Sequence, residues 1–232
     1  MEAVAVMTAM AGGADERPGD APVAVDPVVV DPEGARLAVA AAGGSAEAFR
    51  AIVERHGDAV YRLVARMVRD PALAEDIAQE TFLKAYRALP GYDPRWKLSS
   101  WLLKIAHNAT IDHLRRQRLD TTPLDLGADS AAGSPIDRLA DPSVLDAEQQ
   151  MRGRALARDL QAALGTLDPA YRELLLLRFQ EGMAYQEIAE VTGLPLGTVK
   201  VRLHRGRKRL ADLLAARGWK PPAAETTGSA GS

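Results

Sequence analysis

Apolar residues recur at intervals of three and four along most of the chain, the spacing typical of amphipathic α-helices. The first series starts near Ser45 and continues to Met67. A second follows Asp70-Pro71, a pair typical of an N-cap and first helical position, and ends at Pro90-Gly91. A third is predicted to be capped by Ser99 or Ser100 and to run to about Arg116.

Helical spacing returns in the second half of the chain. It resumes near Gln149 and continues to Leu164, and Asp168-Pro169 repeats the cap-and-proline start. Two short helices are predicted over about 184–192 and 196–214. Because no segment shows the apolar–polar alternation of a strand, we predict an all-α fold.

Segments rich in Pro, Gly, Ala and Asp separate these patterns. Residues 1–44 and 217–232 are predicted to be disordered extensions, since repeated prolines block helix and sheet. Residues 118–149 are predicted to form a flexible acidic linker, because seven acids and one base, Arg138, lie between positions 119 and 148. The chain is thus expected to hold two helical domains, 45–117 and 150–216.

Composition removes several classes of protein. The 232 residues include no cysteine, which excludes disulfides, thiolate zinc sites and thiol catalysis. No apolar run is long enough to span a bilayer, and no basic residue precedes Arg17, although a secretory signal has a basic start. We therefore expect a cytoplasmic protein, and the net charge of −2 by itself says nothing about nucleic acid.

Residues 184–203 carry the pattern of a helix-turn-helix. Ile188 and Ala189 are expected to face inward, Gly193 to adopt the left-handed conformation that ends the first helix, and Val199 and Leu203 to anchor the second. In this motif the second helix enters the major groove. Six bases and no acid lie between positions 200 and 209, which suits a DNA backbone, although a basic solvated helix on some other protein is the alternative.

A second basic segment has a different character. Between positions 95 and 118 six bases accompany a single acid, Asp112, and Tyr92, Trp96 and Trp101 are interleaved with them. Aromatic rings beside cations suit single-stranded DNA, whose unstacked bases lie on the rings. Trp101 also fits a core position with Leu102, so both interpretations of it stay open.

A third candidate surface lies on the predicted helix after Pro71. Asp76, Gln79, Glu80 and Lys84 form a polar stripe beside the apolar residues Ile77 and Leu83. Such a stripe suits a protein partner, whereas an ordinary solvated helix face would look similar. This segment alone does not distinguish the two.

Four motifs in order make the chain resemble a known family. They are AEDIAQETFLKAYR, WLLKIAHNATIDHLRR, LDPAYRELLLLRF and YQEIAEVTGLPLGTVKVRLHRGRKRL, with the acidic gap between the second and the third. Together they resemble the extracytoplasmic-function (ECF) group of the sigma-70 family of RNA polymerase sigma factors. The resemblance covers about residues 46–117 and 150–215.

The resemblance implies a role for each segment. The first domain is similar to sigma domain 2, which would bind the clamp helices of the polymerase beta-prime subunit through Asp76, Gln79, Glu80, Phe82 and Lys84. It would also capture unpaired bases of the −10 element with Tyr92, Arg95, Trp96, Lys97, Trp101, Lys104, His107, Asn108, Asp112, Arg115 and Arg116.

The second domain is similar to sigma domain 4, expected near the beta flap of the polymerase. It would read the −35 duplex with Thr198, Lys200, Val201, Arg202, His204, Arg205, Arg207 and Lys208. Val201 would contact a thymine methyl group. The linker would follow the path of nucleic acid through the polymerase, and an anti-sigma factor is an expected partner.

Three alternatives remain beside this interpretation. A helix-turn-helix regulator that works without polymerase explains the second domain but leaves the aromatic, basic segment without a role. An enzyme is disfavoured, because the four histidines are scattered and neither a phosphate loop nor a nucleophile elbow is present. A polymerase-binding protein without promoter activity is the third. We expect no catalytic residue, no metal and no cofactor.

Overall fold

A computed structural model describes residues 31–120 and 147–219, and every regular element within these ranges is helical. The helices are α1 (Pro32–Ala42), α2 (Ala46–Val68), α3 (Pro71–Ala88), α4 (Leu98–Asp120), α5 (Ala147–Thr166), α6 (Pro169–Leu175), α7 (Tyr185–Thr192) and α8 (Leu196–Ala215). A 3-10 turn, Leu89–Gly91, follows α3, and a π-helical turn, Leu176–Gln180, follows α6. The predicted all-α fold is confirmed.

The described residues fall into two compact units. One contains residues 31–120 together with 183–199, and the other contains residues 147–182 together with 200–219. These units differ from the two predicted domains, because α7 packs against α4 and is grouped with the first unit. The division passes through α8 between Val199 and Lys200.

Acidic and hydroxyl side chains begin several helices where the sequence predicts them. The Asp70 carboxylate accepts hydrogen bonds from the amides of Ala72 and Leu73, and the Asp168 carboxylate accepts one from the amide of Ala170. Each cap is followed by a proline, which lacks the amide hydrogen that a first helical position cannot use. The predicted starts at Asp70-Pro71 and Asp168-Pro169 are therefore confirmed.

The start of α4 differs from the prediction. The helix begins at Leu98, so neither Ser99 nor Ser100 is its N-cap. Leu98 is fully buried and fixes the beginning of the helix by packing. The Ser100 side chain is also buried, which removes it from the solvated position that a cap occupies.

The expected N-terminal extension is also corrected. Residues 32–42 form α1 instead of a disordered segment. Asp31 caps this helix by accepting the Gly34 amide at 2.9 Å, and Ala38 and Ala41 are almost completely buried. Sequence periodicity is weak here because small side chains form the buried face. Residues 1–30 lie outside the described residues.

The boundaries of the linker and the C-terminal extension shift as well. Helix α4 continues to Asp120 and α5 begins at Ala147, so the predicted linker is shorter at both ends, and its residues 121–146 lie outside the described residues. The predicted tail from position 217 begins with an ordered residue, since the Trp219 indole donates to the Asp159 carboxylate at 2.6 Å. Residues 220–232 also lie outside the described residues.

Each unit has its own apolar core. In the first, α1, α2, α3 and α4 pack on one another, and its largest buried side chains are Ile52, Val60, Leu63, Ile77, Leu98, Leu102 and Ile188. In the second, the buried side chains include Leu156, Leu160, Leu174, Leu175, Leu177, Leu203 and Leu210. No helix within the described residues is both long and apolar enough to cross a bilayer.

Candidate nucleic-acid and polymerase interfaces

The loop between the 3-10 turn and α4 is held together by its own aromatic residues. The Tyr92 hydroxyl donates to the carbonyl oxygen of Trp96 at 2.6 Å, and the Trp96 amide donates to the carbonyl oxygen of Asp93. The Tyr92 ring lies edge-on to Trp101, with centroids 5.2 Å apart. Burial, and then the charges of Asp31 and Asp93, raise the pKa of Tyr92, so its hydroxyl stays a donor.

Two predicted DNA-binding cations lie beside this loop with protein partners. The Arg95 guanidinium donates to the Asp93 carboxylate at 2.6 Å, and these bonds lower the pKa of Asp93 and raise the pKa of Arg95. The Lys104 ammonium lies 5.4 Å from the centre of the Trp96 ring, within cation–π range. Asp93 was missed by the sequence analysis, although an acid two positions before Arg95 was visible there.

Lys97 is paired within the same compact unit. Its ammonium lies 2.8 Å from a carboxylate oxygen of Glu187, at the start of α7. Burial raises the pKa of Glu187, but hydrogen bonds from Lys97, the Ala184 amide and Ser100 outweigh it, and the net pKa is lowered. Glu187 is therefore held as a carboxylate, and its charge offsets that of Lys97.

Helix α4 gathers most of the other predicted −10 residues on one face. At 100° per residue, five of them project within a third of a turn of one another. His107 projects about a quarter of a turn away from that stripe. Arg116 is exposed, while Trp101 is half-buried, which fits both of the interpretations left open for it. The five residues of the stripe are Trp101, Lys104, Asn108, Asp112 and Arg115.

Helix α3 exposes a mixed polar and apolar surface. Asp76, Gln79 and Glu80 are exposed. The Lys84 ammonium lies 2.8 Å from the Glu80 carboxylate, which lowers the pKa of Glu80 mainly through this hydrogen bond. Phe82 is only partly exposed and projects to the flank of the polar stripe.

Two apolar residues on α3 were absent from the predicted site. Leu83 is 59% exposed and Tyr86 is 48% exposed, and the Tyr86 ring is fixed edge-on against Phe49 at 4.8 Å. Large exposed apolar side chains among charged ones are typical of protein interfaces. The sequence analysis placed Leu83 beside the polar stripe, but helical spacing alone did not show that its side chain is exposed.

The helix-turn-helix has the local geometry that the sequence predicts. Helix α7 ends at Gly193, whose φ of 69° is the left-handed conformation that only glycine adopts without strain. Leu194 and Pro195 then lead directly into α8. Ile188 and Val199 are fully buried, so the expected inward faces of both helices are confirmed.

Helix α8 presents its basic residues on the side opposite its anchors. Val199, Leu203, Gly206 and Leu210 are buried. Thr198, Arg202 and Arg207 lie at the borders of the exposed face and are partly exposed. Val201 is 47% exposed, which leaves an apolar group within the basic surface. The exposed predicted −35 residues are Lys200, Val201, His204, Arg205 and Lys208.

The described residues show no arrangement that suits a metal ion. Among residues 31–120 and 147–219, no cluster of three or more His, Asp or Glu side chains has that arrangement. The surfaces described above offer stacking, ion pairing and hydrogen bonding.

Comparison with known families matches both halves of the chain. The Sigma-70 region 2 family matches residues 52–119, and the Sigma-70 region 4 family matches residues 157–210. The first match contains α3 and α4 with the aromatic loop, and the second contains the helix-turn-helix. The predicted DNA-binding segments therefore lie inside the matched regions.

Individual relatives give the same assignment. The ECF RNA polymerase sigma factor SigW of Bacillus subtilis is 35% identical over 72% of this chain and 89% of its own. The RNA polymerase sigma factor CarQ of Myxococcus xanthus is 38% identical over 74% of this chain and 91% of its own. SigE of Mycolicibacterium smegmatis is 38% identical over 71% of this chain, but the aligned part spans only 60% of SigE.

Solved structures with a similar fold are complexes. CnrH bound to the cytosolic domain of CnrY is 28% identical with a TM-score of 0.57, and covers 79% of this chain and 98% of its own. The sigma factor RpoE of Bartonella quintana, bound to the anti-sigma factor NepR, is 26% identical with a TM-score of 0.57, and covers 72% of this chain and 96% of its own.

Proposed function

This chain belongs to the ECF group of the sigma-70 family of RNA polymerase sigma factors, and from that premise we propose how it divides the work of transcription initiation. Sigma factors bind the polymerase core and direct it to promoters. We assign polymerase binding to α3, capture of the unpaired −10 strand to the aromatic loop with α4, and recognition of the −35 duplex to α8. The observation that carries the assignment is that one chain holds both a basic recognition helix and an aromatic, basic loop.

The −35 step uses the exposed face of α8. His204, Arg205 and Lys208 are within reach of base edges and phosphates when the helix lies in the major groove. Val201 adds an apolar contact suited to a thymine methyl group. The buried residues Val199 and Leu203 hold α8 in place, so its basic face is already formed before DNA binds.

The −10 step uses the ring of Trp96 and the stripe on α4. A base that leaves the duplex loses stacking worth a few kcal/mol, and a new stack on an aromatic side chain returns about 1–3 kcal/mol. Lys104, beside the ring, neutralises the phosphate of the unstacked nucleotide. Asn108 offers an amide that both donates and accepts hydrogen bonds at base edges.

The polymerase step uses the surface of α3. Asp76, Gln79, Glu80 and Lys84 give polar contacts, and we add Leu83 and Tyr86 as apolar anchors at its centre. Phe82, which is partly exposed, supports the flank of this surface. Exposed aromatic residues are the usual anchors of protein interfaces.

Further partners follow from the family and the related structures. We propose that an anti-sigma factor binds this chain, as NepR binds RpoE. We place the region around α8 near the beta flap of the polymerase and the linker along its nucleic-acid path. The protein would then act in the cytoplasm with its polymerase, without cofactor and without catalysis of its own.

Co-elution with sigma-free core polymerase on size exclusion is the primary test. We expect a complex that a housekeeping sigma factor displaces. Absence of association at micromolar concentration, with duplex binding retained, would favour a helix-turn-helix regulator that works alone.

Two reciprocal variants assign the surfaces. A promoter is first selected from a random-sequence library with the wild-type holoenzyme. Arg205→Ala should weaken binding to its −35 duplex without affecting core binding, and Asp76→Ala combined with Gln79→Ala should do the reverse. Arg50→Ala, an exposed residue of α2, is the control and should leave both unchanged. Equal loss of both activities in Arg205→Ala would contradict the assignment.

A further inference from the structure

Helix α1 precedes the segment that matches the sigma family and still packs on the element that carries the −10 residues. The family match begins at residue 52, whereas α1 spans Pro32–Ala42. Its buried face consists of Gly34, Ala38 and Ala41, and it contacts α2, the 3-10 turn and α4. Small residues let the helix backbone approach these elements closely.

The closest approach is at Gly34. A Cβ atom added to Gly34 would lie 2.9 Å from the Cβ of Leu98 and would overlap the Asp31 carboxylate. Leu98 is fully buried and is the first residue of α4, directly after the aromatic loop. The backbone of α1 therefore limits where Leu98, and with it the end of that loop, can lie.

Helix α1 also lies at the other end of the loop, because it contacts the 3-10 turn Leu89–Gly91 that directly precedes Tyr92. Asp31 caps the start of this helix. Its carboxylate accepts the Gly34 amide at 2.9 Å and lies 4.0 Å from the Arg55 guanidinium, which also pairs with Glu33 at 2.6 Å. Burial raises the pKa of Tyr92 above its ordinary value, and the negative charge of Asp31 raises it further. Tyr92 in turn holds the carbonyl of Trp96.

We infer that α1 is a positioning element for −10 recognition: its contacts with the 3-10 turn and, at Gly34, with Leu98 fix the two ends of the loop Tyr92–Lys97, so that the Trp96 ring is presented to the unpaired strand. Gly34 is a positioning residue, because it is not proposed to touch DNA. The inference rests on the proposed role of Trp96 in the −10 step. Displacing a binding group by about 1 Å can weaken a reaction that depends on its position by up to 10²-fold.

The test compares Gly34→Val with Ala40→Val in the full chain. Both variants add the same β-branched residue to α1, but Ala40 is exposed and has no comparable neighbour. Each holoenzyme is titrated with a single-stranded oligonucleotide carrying the −10 non-template strand of the selected promoter, with 2-aminopurine at the base expected to flip. Core affinity and −35 duplex binding are measured in parallel.

We expect Gly34→Val to weaken −10 strand binding about tenfold or more and to reduce the 2-aminopurine signal, while core affinity and −35 binding stay unchanged. Ala40→Val should match the wild type in all three measurements. Unchanged −10 binding in Gly34→Val would overturn the inference. Equal losses in all three measurements would also overturn it, since they would show a purely structural role.

A second variant covers the case in which Gly34→Val does not fold. Gly34→Ala adds the Cβ atom alone, which would lie 2.9 Å from the Cβ of Leu98 and would overlap the Asp31 carboxylate. We expect it to weaken −10 strand binding by a few-fold at unchanged core affinity, and wild-type −10 binding would overturn the inference. If the wild-type holoenzyme itself does not bind the −10 strand, the proposed function fails; if it binds and both variants bind equally well, only this inference fails.

Discussion

The two proposed DNA surfaces of this chain differ in how their cations are paired. Around the aromatic loop each cation has a protein partner: Arg95 pairs with Asp93, Lys97 pairs with Glu187, and Lys104 lies over the Trp96 ring. Along α8 the exposed residues Lys200, Arg205 and Lys208 stand in a segment, 200–209, that contains no acid, although Arg209 lies 4.7 Å from the centre of the Tyr171 ring. One surface is thus internally compensated, whereas the other presents its charge to solvent.

The difference predicts different dependences on salt. Binding of exposed cations to phosphates releases counterions from DNA, so the affinity falls steeply as salt rises. Stacking of a base on a ring neutralises no phosphate, so it adds affinity without counterion release, while the cations of a single-strand site still make binding depend on salt. We therefore expect −35 duplex binding to be the more salt-sensitive step and −10 strand capture to depend on how the loop positions its ring.

Removing two charges from α8 should give the largest effect. The double variant Arg205→Ala, Lys208→Ala loses two contacts worth about 1–3 kcal/mol each, so −35 duplex binding should fall about 30-fold or more. The slope of log affinity against log salt should become less steep by about two. Fluorescence anisotropy of a labelled −35 duplex across a salt series measures both quantities.

The matched control for this variant removes two exposed arginines elsewhere. Arg36→Ala combined with Arg50→Ala changes the net charge equally, and both residues are exposed on α1 and α2. We expect the affinity to stay within about twofold of the wild type, as for surface substitutions outside a binding site. Similar losses in both double variants would mean that overall charge, and not α8, determines the affinity.

Trp96→Ala should give the next largest effect, on the other surface. Loss of one stacked base at about 1–3 kcal/mol predicts about tenfold weaker binding of the −10 strand, with a nearly unchanged salt dependence. Trp96→Phe retains a smaller ring and should recover part of the affinity. A clear fall in the slope of log affinity against log salt, with little loss of affinity, would show that charge, and not stacking, governs this surface.

Local rules explain why much of the fold was predictable. The caps at Asp70 and Asp168 and the left-handed Gly193 depend on the chemistry of a few neighbouring residues, so the sequence alone predicts them. The buried anchors of α8 follow from helical spacing. The basic residues of both proposed DNA surfaces, and the aromatic residues of the loop, were also visible in the sequence.

Contacts between distant segments explain what was missed. Helix α1 is stabilised by packing of Gly34, Ala38 and Ala41, whose small side chains give little periodic signal. The pairing of Lys97 with Glu187 joins residues 90 positions apart, and no local rule predicts it. The exposure of Leu83 is a tertiary property as well, because helical spacing alone makes it equally suitable for a core.

Tyr92→Phe should have a smaller effect on −10 strand binding than Trp96→Ala. The ring and its contact with Trp101 remain, while the hydrogen bond to the Trp96 carbonyl is lost. A hydrogen bond of this kind contributes about 1 kcal/mol, which predicts about fivefold weaker −10 strand binding when the loop is no longer held. The same oligonucleotide titration measures it, and −35 duplex binding serves as the internal control. An unchanged affinity would show that the aromatic packing alone positions the loop.

The smallest expected effect concerns the compensated cation Lys97. Glu187→Gln should release its ammonium and strengthen −10 strand binding by about two- to threefold, with a steeper salt slope, because one more cation then meets the phosphates. Glu190→Gln is the matched control on α7, since the Glu190 carboxylate contacts only the exposed Gln186 amide among the hydrogen bonds described for it. An unchanged affinity in Glu187→Gln would mean that Lys97 has already left Glu187 in the holoenzyme.

The direction of the pKa shift of Glu187 determines how the Lys97–Glu187 pair depends on pH. The pKa of Glu187 lies below its ordinary value of 4.5, because the bonds from Lys97, the Ala184 amide and Ser100 outweigh the opposing effect of burial. The stability that the Lys97–Glu187 pair contributes to the folded protein is therefore fully present above the ordinary pKa of Glu187. It is lost only as the pH falls through the lower pKa that Glu187 has in the folded protein. We expect the difference between Glu187→Gln and the wild type to be constant from about pH 6 to 8. A difference that disappears within this range would place the release of Lys97 under the control of another titrating group.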